Sequence, residues 1–252
     1  MLIVPIALVA TIGMPILLFD DLEAVDKMVL AVAPSLLILC WLIISDRFQQ
    51  RPAVVLTSFV LGGLSIGLAA AIGLPFLGLS GSPVWIAFMV AAIPEESAKL
   101  LVLLSFCARH RAFHHRTDGL VYGVAVALGF AALENVAYLF GPNIPADTDW
   151  MVIGMARAFM AVPMHAVVGA TMGFFVGVSR AQHDRRCRWL CTAWIVAVAL
   201  HGSYDWLALT GSVPLAWFVM MWILMMRLRR KLERGHRSEN PEIVLDHVYQ
   251  PS

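Results

Sequence analysis

The chain has 252 residues, 60% of them hydrophobic and 14% charged. A soluble domain carries roughly a quarter charged residues, so this balance excludes an ordinary water-soluble fold and points to lipid as the solvent. A formal net charge of +1 supplies no long-range field for a nucleic acid, and none is expected as a partner.

A membrane span needs about 20 mostly apolar residues. In chain order eight segments qualify: 1–19, 28–45, 53–79, 83–107, 119–140, 151–179, 189–210 and 213–227. They predict an all-α polytopic membrane protein, a single bundle of about eight transmembrane helices within residues 1–234. The polar, proline-containing tail, 235–252, is expected to be disordered and cytoplasmic. The apolar start lacks a basic leader and reads as a first span, not a cleaved signal peptide. Gly62, Gly63 and Gly67 in the third span suit close helix packing. Pro94 is expected to kink the fourth span, and Asp118 to cap the fifth at its start. His110, His114 and His115 lie in a basic loop and are expected to face solvent or headgroups. Cys40, Cys107, Cys187 and Cys191 form no CxxC pair and no disulfide framework. Cys187 and Cys191 have no histidine at metal-ligand spacing.

Loop charge orients the bundle. Fifteen of the 18 basic residues fall in loops 46–52, 108–118 and 180–188 and in the tail from 227, all on one side of an eight-span protein. The other side holds Lys27 among Asp20, Asp21, Glu23, Asp26, Asp147 and Asp149. The positive-inside rule then places both termini in the cytoplasm.

The two remaining basic residues, Lys99 and Arg157, fall inside spans. So do Glu95, Glu96, Glu134, Asn135, His165, His201 and Asp205. A charge at the bilayer centre costs about 2.5–3.5 kcal/mol, so such groups must face inward and satisfy one another. With a rise of about 1.5 Å per residue, Glu95 and His165 lie roughly 18 and 21 Å below the external ends of their spans. Glu134 and His201 lie roughly 22 and 18 Å up from the cytoplasmic ends of theirs. In a hydrocarbon core about 30 Å thick, four helices therefore bring these groups near one level.

Spacing within each helix agrees. His201 and Asp205 share a face, and Lys99 can reach Glu95 or Glu96. Phe130, Glu134 and Tyr138 form one stripe. Arg157, Ala161 and His165 form another, continued by Gly169 and Gly173. A glutamate beside a histidine can activate water. Glu96, Glu134, His165 and His201 could instead hold Zn²⁺ from separate helices, since no HExxH spacing exists. The same residue types build proton relays, so a proton-coupled transporter and a non-catalytic membrane scaffold stay open at this point. No inverted repeat of the kind transporters use is visible.

Four blocks resemble the PrsW family of intramembrane proteases. Pro94-Glu95-Glu96-Ser97-Ala98-Lys99 looks like its EExxK motif. Asp118 to Gly123, followed by Gly129 to Tyr138, looks like its second block. His165-Ala166 with Gly169 and Gly173 looks like the third, and His201-Gly202-Ser203-Tyr204-Asp205-Trp206 like the fourth. A more distant similarity joins the CAAX-prenyl and bacteriocin-processing proteases. Here Phe130–Glu134 puts a glutamate where that wider group has a histidine, and His165 can supply the imidazole.

The resemblance implies an endopeptidase of the bacterial cytoplasmic (inner) membrane. It would cut a transmembrane or membrane-proximal segment of a single-span protein, by site-1 cleavage of an anti-sigma factor in stress signalling. The expected catalytic set is Glu95, Glu96, Lys99, Glu134, His165, His201 and Asp205. Asn135 and Arg157 are expected to meet the substrate. A glutamic and a metal-dependent mechanism are both open.

Overall fold

Apolar chain in a bilayer must satisfy its backbone hydrogen bonds within each segment, and helices do so. The computed structural model describes residues 22–45, 51–111, 113, 116–141 and 149–212, and positions 217, 219, 223, 226, 227 and 230. Among the described residues every regular element is helical. Two compact units divide the chain, Met1–Val213 and Pro214–Ser252. The described positions of the second unit are helical. The expected first span, most of the eighth and the tail 235–252 lie outside the described residues.

Helix α1 runs Leu22–Ser45 and begins earlier than the apolar run alone suggested. Next come α2, Pro52–Leu64, and α3, Ile66–Gly73, closed by a 3₁₀ turn at Leu74–Phe76. Ser65 separates them, its hydroxyl donating to the Gly62 carbonyl at 2.6 Å. A rod then starts at Pro83, widens into a π segment, Ile86–Ala92, and continues as α4, Ile93–Ser105. Helix α5 is Arg116–Phe140. A second composite rod joins α6, Trp150–Ala156, a π segment, Arg157–Ala161, and α7, Val162–Ala181. Helix α8 is Arg186–Leu209.

Four of these are long and apolar enough to cross a membrane: Leu22–Ile44, Pro52–Phe76, Asp118–Phe140 and Trp150–Ala181. Eight spans are therefore not reached among the described residues. The rod Pro83–Ser105 and helix α8 cover two further expected spans but carry Glu95, Glu96 and Lys99, or His201 and Asp205, which lower their apolarity.

Both π segments precede a proline. Pro94 and Pro163 each stand second in the α-helix that follows. Proline has no N–H to give to the carbonyl four residues back, and its ring clashes there, so the preceding turn widens. The expected kink at Pro94 takes this form. The same device at Pro163 was not anticipated. Glu95 and Glu96 follow the first proline directly, and His165 lies two residues after the second.

Helix α5 is the hub, packed against α7, α2 and α1. The α5–α7 seam is built from glycines. A Cβ at Gly123 would collide with the Gly169 carbonyl, and one at Gly173 with the Gly119 carbonyl. Small residues let backbones approach, which drives helix association in lipid, where apolar burial gives no advantage. Gly62 likewise seats against Val126, and Gly63 stands near Leu133. A Cβ at Gly67 would meet nothing among the described residues. Gly202 lets α8 close on Phe88 of the first π segment.

Asp118 is not the helix cap. Helix α5 starts at Arg116, so Asp118 sits inside the first turn, buried, where a carboxylate favours the positive end of the helix dipole. His110 is half-buried, its ring 5.8 Å from Phe106. His114 and His115 lie outside the described residues. All four cysteines are free. Cys40 and Cys107 are buried, Cys187 and Cys191 exposed, and Cys107 Sγ lies 3.3 Å from Ser58 Oγ.

Candidate active site

The cluster is assembled from α4, α5, α7 and α8, with Arg157 from the π segment before α7. Lys99 lies one turn beyond the two glutamates of α4, as helical spacing dictates. Its Nζ is 2.7 Å from Glu96 Oε1 and 3.3 Å from Glu95 Oε2. Lys99 thus pairs with both carboxylates. Its ammonium also stands 4.1 Å from the centre of the Phe130 ring, where the π face attracts a cation.

His201 stands between carboxylates. Its Nδ1 is 2.7 Å from Glu96 Oε1, and its Nε2 is 3.2 Å from Asp205 Oδ2 and 3.8 Å from Glu95 Oε2. Glu96 Oε1 therefore takes both Lys99 and His201. Its other oxygen, Oε2, is buried with no hydrogen-bond partner. A buried, unpartnered carboxylate oxygen is costly and marks a place for a water or an ion.

His165 is shared by two other groups. Its Nε2 is 2.8 Å from Glu134 Oε2, and its Nδ1 is 3.2 Å from Lys99 Nζ. The His165 and His201 rings meet edge to face, centroids 5.0 Å apart. Arg157 Nη2 approaches Glu134 Oε1 to 2.9 Å as an ion pair. Arg157 Nε donates to Asn135 Oδ1 at 2.7 Å. Asn135 Nδ2 donates to the Ala31 carbonyl of α1 at 3.2 Å.

All nine residues singled out in the sequence thus join one connected network. Asn135 and Arg157, expected to meet substrate, are bonded into the protein. A contact not foreseen ties α4 to α8: Trp194 Nε1 donates to Ser97 Oγ at 2.9 Å. The one signal for it was a polar Ser97 within an otherwise charged motif.

Most of the network is sealed. Glu96, Lys99, His165, His201 and Asn135 are buried. Glu95, Glu134, Arg157 and Asp205 keep side-chain exposures of 13, 14, 15 and 23%. Asp205 lies near the C-terminal end of α8, and Arg157 near the N-terminal end of its rod.

Glu95, Glu96, His165 and His201 each offer one ligand atom, and these atoms lie within 4.8 Å of one another. Glu95 stands where the sequence suggested Glu134, because Arg157 and His165 already occupy the Glu134 oxygens. Two carboxylates and two imidazoles suit Zn²⁺. Four carboxylates against the fixed cations Lys99 and Arg157 also leave excess negative charge for imidazoles, protons or a metal to balance. With the unpartnered Glu96 Oε2, the residues fit a divalent cation. Lys99, which donates to both glutamates, would have to yield part of its hydrogen bonding.

Acid–base side chains gathered inside a bundle of apolar helices define a class: a multi-pass membrane protein with a reactive polar centre among its helices, suited to hydrolysis or to proton relay within the membrane. Residues 50–228 match the family model described as PrsW family intramembrane metalloprotease. The chain is 32% identical over 208 residues to Protease PrsW of Bacillus subtilis, covering 79% of this chain and 92% of that protein. It is 30% identical over 224 residues to Protease PrsW of Geobacillus kaustophilus, covering 84% and 93%. Protease PrsW of Clostridioides difficile is 27% identical over 207 residues, covering 79% and 84%. No solved structure matches. The chain belongs to the PrsW family, and the transporter and scaffold readings give way to a protease acting on membrane proteins.

Proposed function

We propose that the chain cuts a peptide bond in a transmembrane or membrane-proximal segment of a single-span protein, toward the external leaflet. Anti-sigma factors are the substrate class the family resemblance favours. The loop charges support a bacterial inner-membrane protein with about eight spans and cytoplasmic termini.

The observation that carries this reading is the buried, unpartnered Glu96 Oε2 amid Glu95, His165 and His201. Glu95 and Glu96 hold the attacking water and take its proton. Lys99 pairs with both carboxylates in a dry setting. His165, oriented by Glu134, completes the site, and the proton taken from the water goes to the leaving amine. Glu96 and Asp205 hold the His201 ring, and its Nε2–H turns from Asp205 to the developing oxyanion as charge builds there. If a metal is bound, Glu95, Glu96, His165 and His201 hold it, and it supplies Lewis acidity and a more acidic water.

The test is cleavage of a single-span substrate by purified protein in detergent. Glu96→Gln and His201→Ala are each expected to lower kcat at least about 100-fold. Cleavage at the wild-type rate by both variants would overturn the assignment.

A further inference from the structure

Arg157 opens the π segment Arg157–Ala161 and spreads its guanidinium over three side chains of α5. Nε bonds Asn135, Nη2 pairs with Glu134, and the Tyr138 ring lies 3.8 Å from the guanidinium carbon. Asn135, 1% exposed, is pinned to the Ala31 carbonyl. Beyond Glu134, its second oxygen meets His165 Nε2. Hydrogen-bond chemistry then assigns the His165 protons. An ammonium only donates, so Nδ1 must accept from Lys99. Nε2 then carries the proton and donates to Glu134.

We infer that Arg157 is a positioning residue: acting through Glu134, it holds the His165 ring by its Nε2–H and so keeps Nδ1 where Lys99 reaches it, in the group with Glu95, Glu96 and His201. A carboxylate orienting an imidazole is a general device for fixing ring and tautomer. In this setting the carboxylate keeps its charge only beside a cation. Lys99 is committed to Glu95 and Glu96, and Arg157 is the cation in direct contact with Glu134. The fork shape matters, because one guanidinium must grip Asn135 and Glu134 together, which a lysine cannot do. Helix α1, which contributes no side chain to the cluster, thereby supports it through Ala31. Arg157 and Asn135 then affect substrate only through His165. The inference rests on the proposed function in taking His165 as part of the site.

The experiment compares wild type, Arg157→Met, Arg157→Lys, Asn135→Ala and His165→Ala. It measures kcat and KM on a single-span substrate, and the ¹⁵N resonances of the histidine rings in detergent. Arg157→Met is expected to lower kcat about 10- to 100-fold while KM stays within about twofold. Its His165 Nε2–H resonance should lose the shift of a hydrogen bond to a charged carboxylate, and Arg157→Lys should recover part of the loss. A raised KM at unchanged kcat, or a His165 spectrum unchanged from wild type, overturns the inference. Should Arg157→Met not fold, Asn135→Ala decides: a weaker version of the same two changes supports the inference, and an unchanged His165 spectrum overturns it. His165→Ala cutting at the wild-type rate would instead sink the site reading, leaving the His165 spectrum to judge Arg157.

Discussion

Lys99 and Glu96 are buried as a pair, Nζ 2.7 Å from Oε1, with side chains 2% and 0% exposed. Removing one partner strands the other charge in a dry interior, which costs about 3–5 kcal/mol. Lys99→Met is therefore expected to unfold at a clearly lower temperature in detergent and to be inactive. Lys99→Met/Glu96→Gln, which removes both charges, should recover much of the stability and none of the activity. Thermal unfolding and cleavage assays on the same preparations check this. A single variant as stable as wild type would show that the pair is not buried as described.

Pro163 separates stability from function. An alanine there could restore the missing helical hydrogen bond and relax the π segment Arg157–Ala161. Arg157 and His165 would then change register relative to one another. Pro163→Ala is expected to unfold no earlier than wild type while kcat falls at least about tenfold, because misplacing a group by about 1 Å already carries a large kinetic cost. Unchanged kcat would mean that the widened turn does not place His165.

The glycine seam offers an internal control. Gly173→Ala puts a methyl group against the Gly119 carbonyl, whereas Gly67→Ala meets nothing. Overpacking against backbone costs about 1–3 kcal/mol. The first substitution should lower thermal stability and the second leave it near wild type. Equal effects would contradict the close approach of α5 and α7.

Elemental analysis tests the metal reading without an activity assay. Protein purified without chelator is expected to carry about one divalent metal per chain, zinc on donor chemistry. His201→Ala and Glu96→Gln should lower that content, and Cys187→Ser should not, because Cys187 is exposed and outside the ligand group. Metal-free protein that cleaves substrate at the full rate would assign catalysis to the side chains alone.

Local pairs were legible from spacing because a helix sets them by itself. Lys99 with Glu95 and Glu96, and His201 with Asp205, follow from a period of about 3.6 residues and need no partner helix. The helical bundle was legible for a similar reason: a long apolar run in lipid has few alternatives. Eight spans were harder to recover, since the rod with Glu95, Glu96 and Lys99 and the helix with His201 and Asp205 are less apolar, and the first and most of the eighth lie outside the described residues. The π segments escaped because a proline inside a span announces a defect without saying which kind.

From sequence alone came a helical membrane protein whose ionisable groups had to face one another, because lipid solvates no charge. Only the tertiary structure decided that Glu134 takes His165 while Glu96 takes His201, and that Glu95 completes the ligand group. It also decided that Arg157 braces the network. Those pairings join residues 31 and 105 positions apart. They depend on how far each helix is rotated and slid against its neighbour, which glycine seams and widened turns control. No local periodicity encodes that rotation, since it is a property of two surfaces in contact.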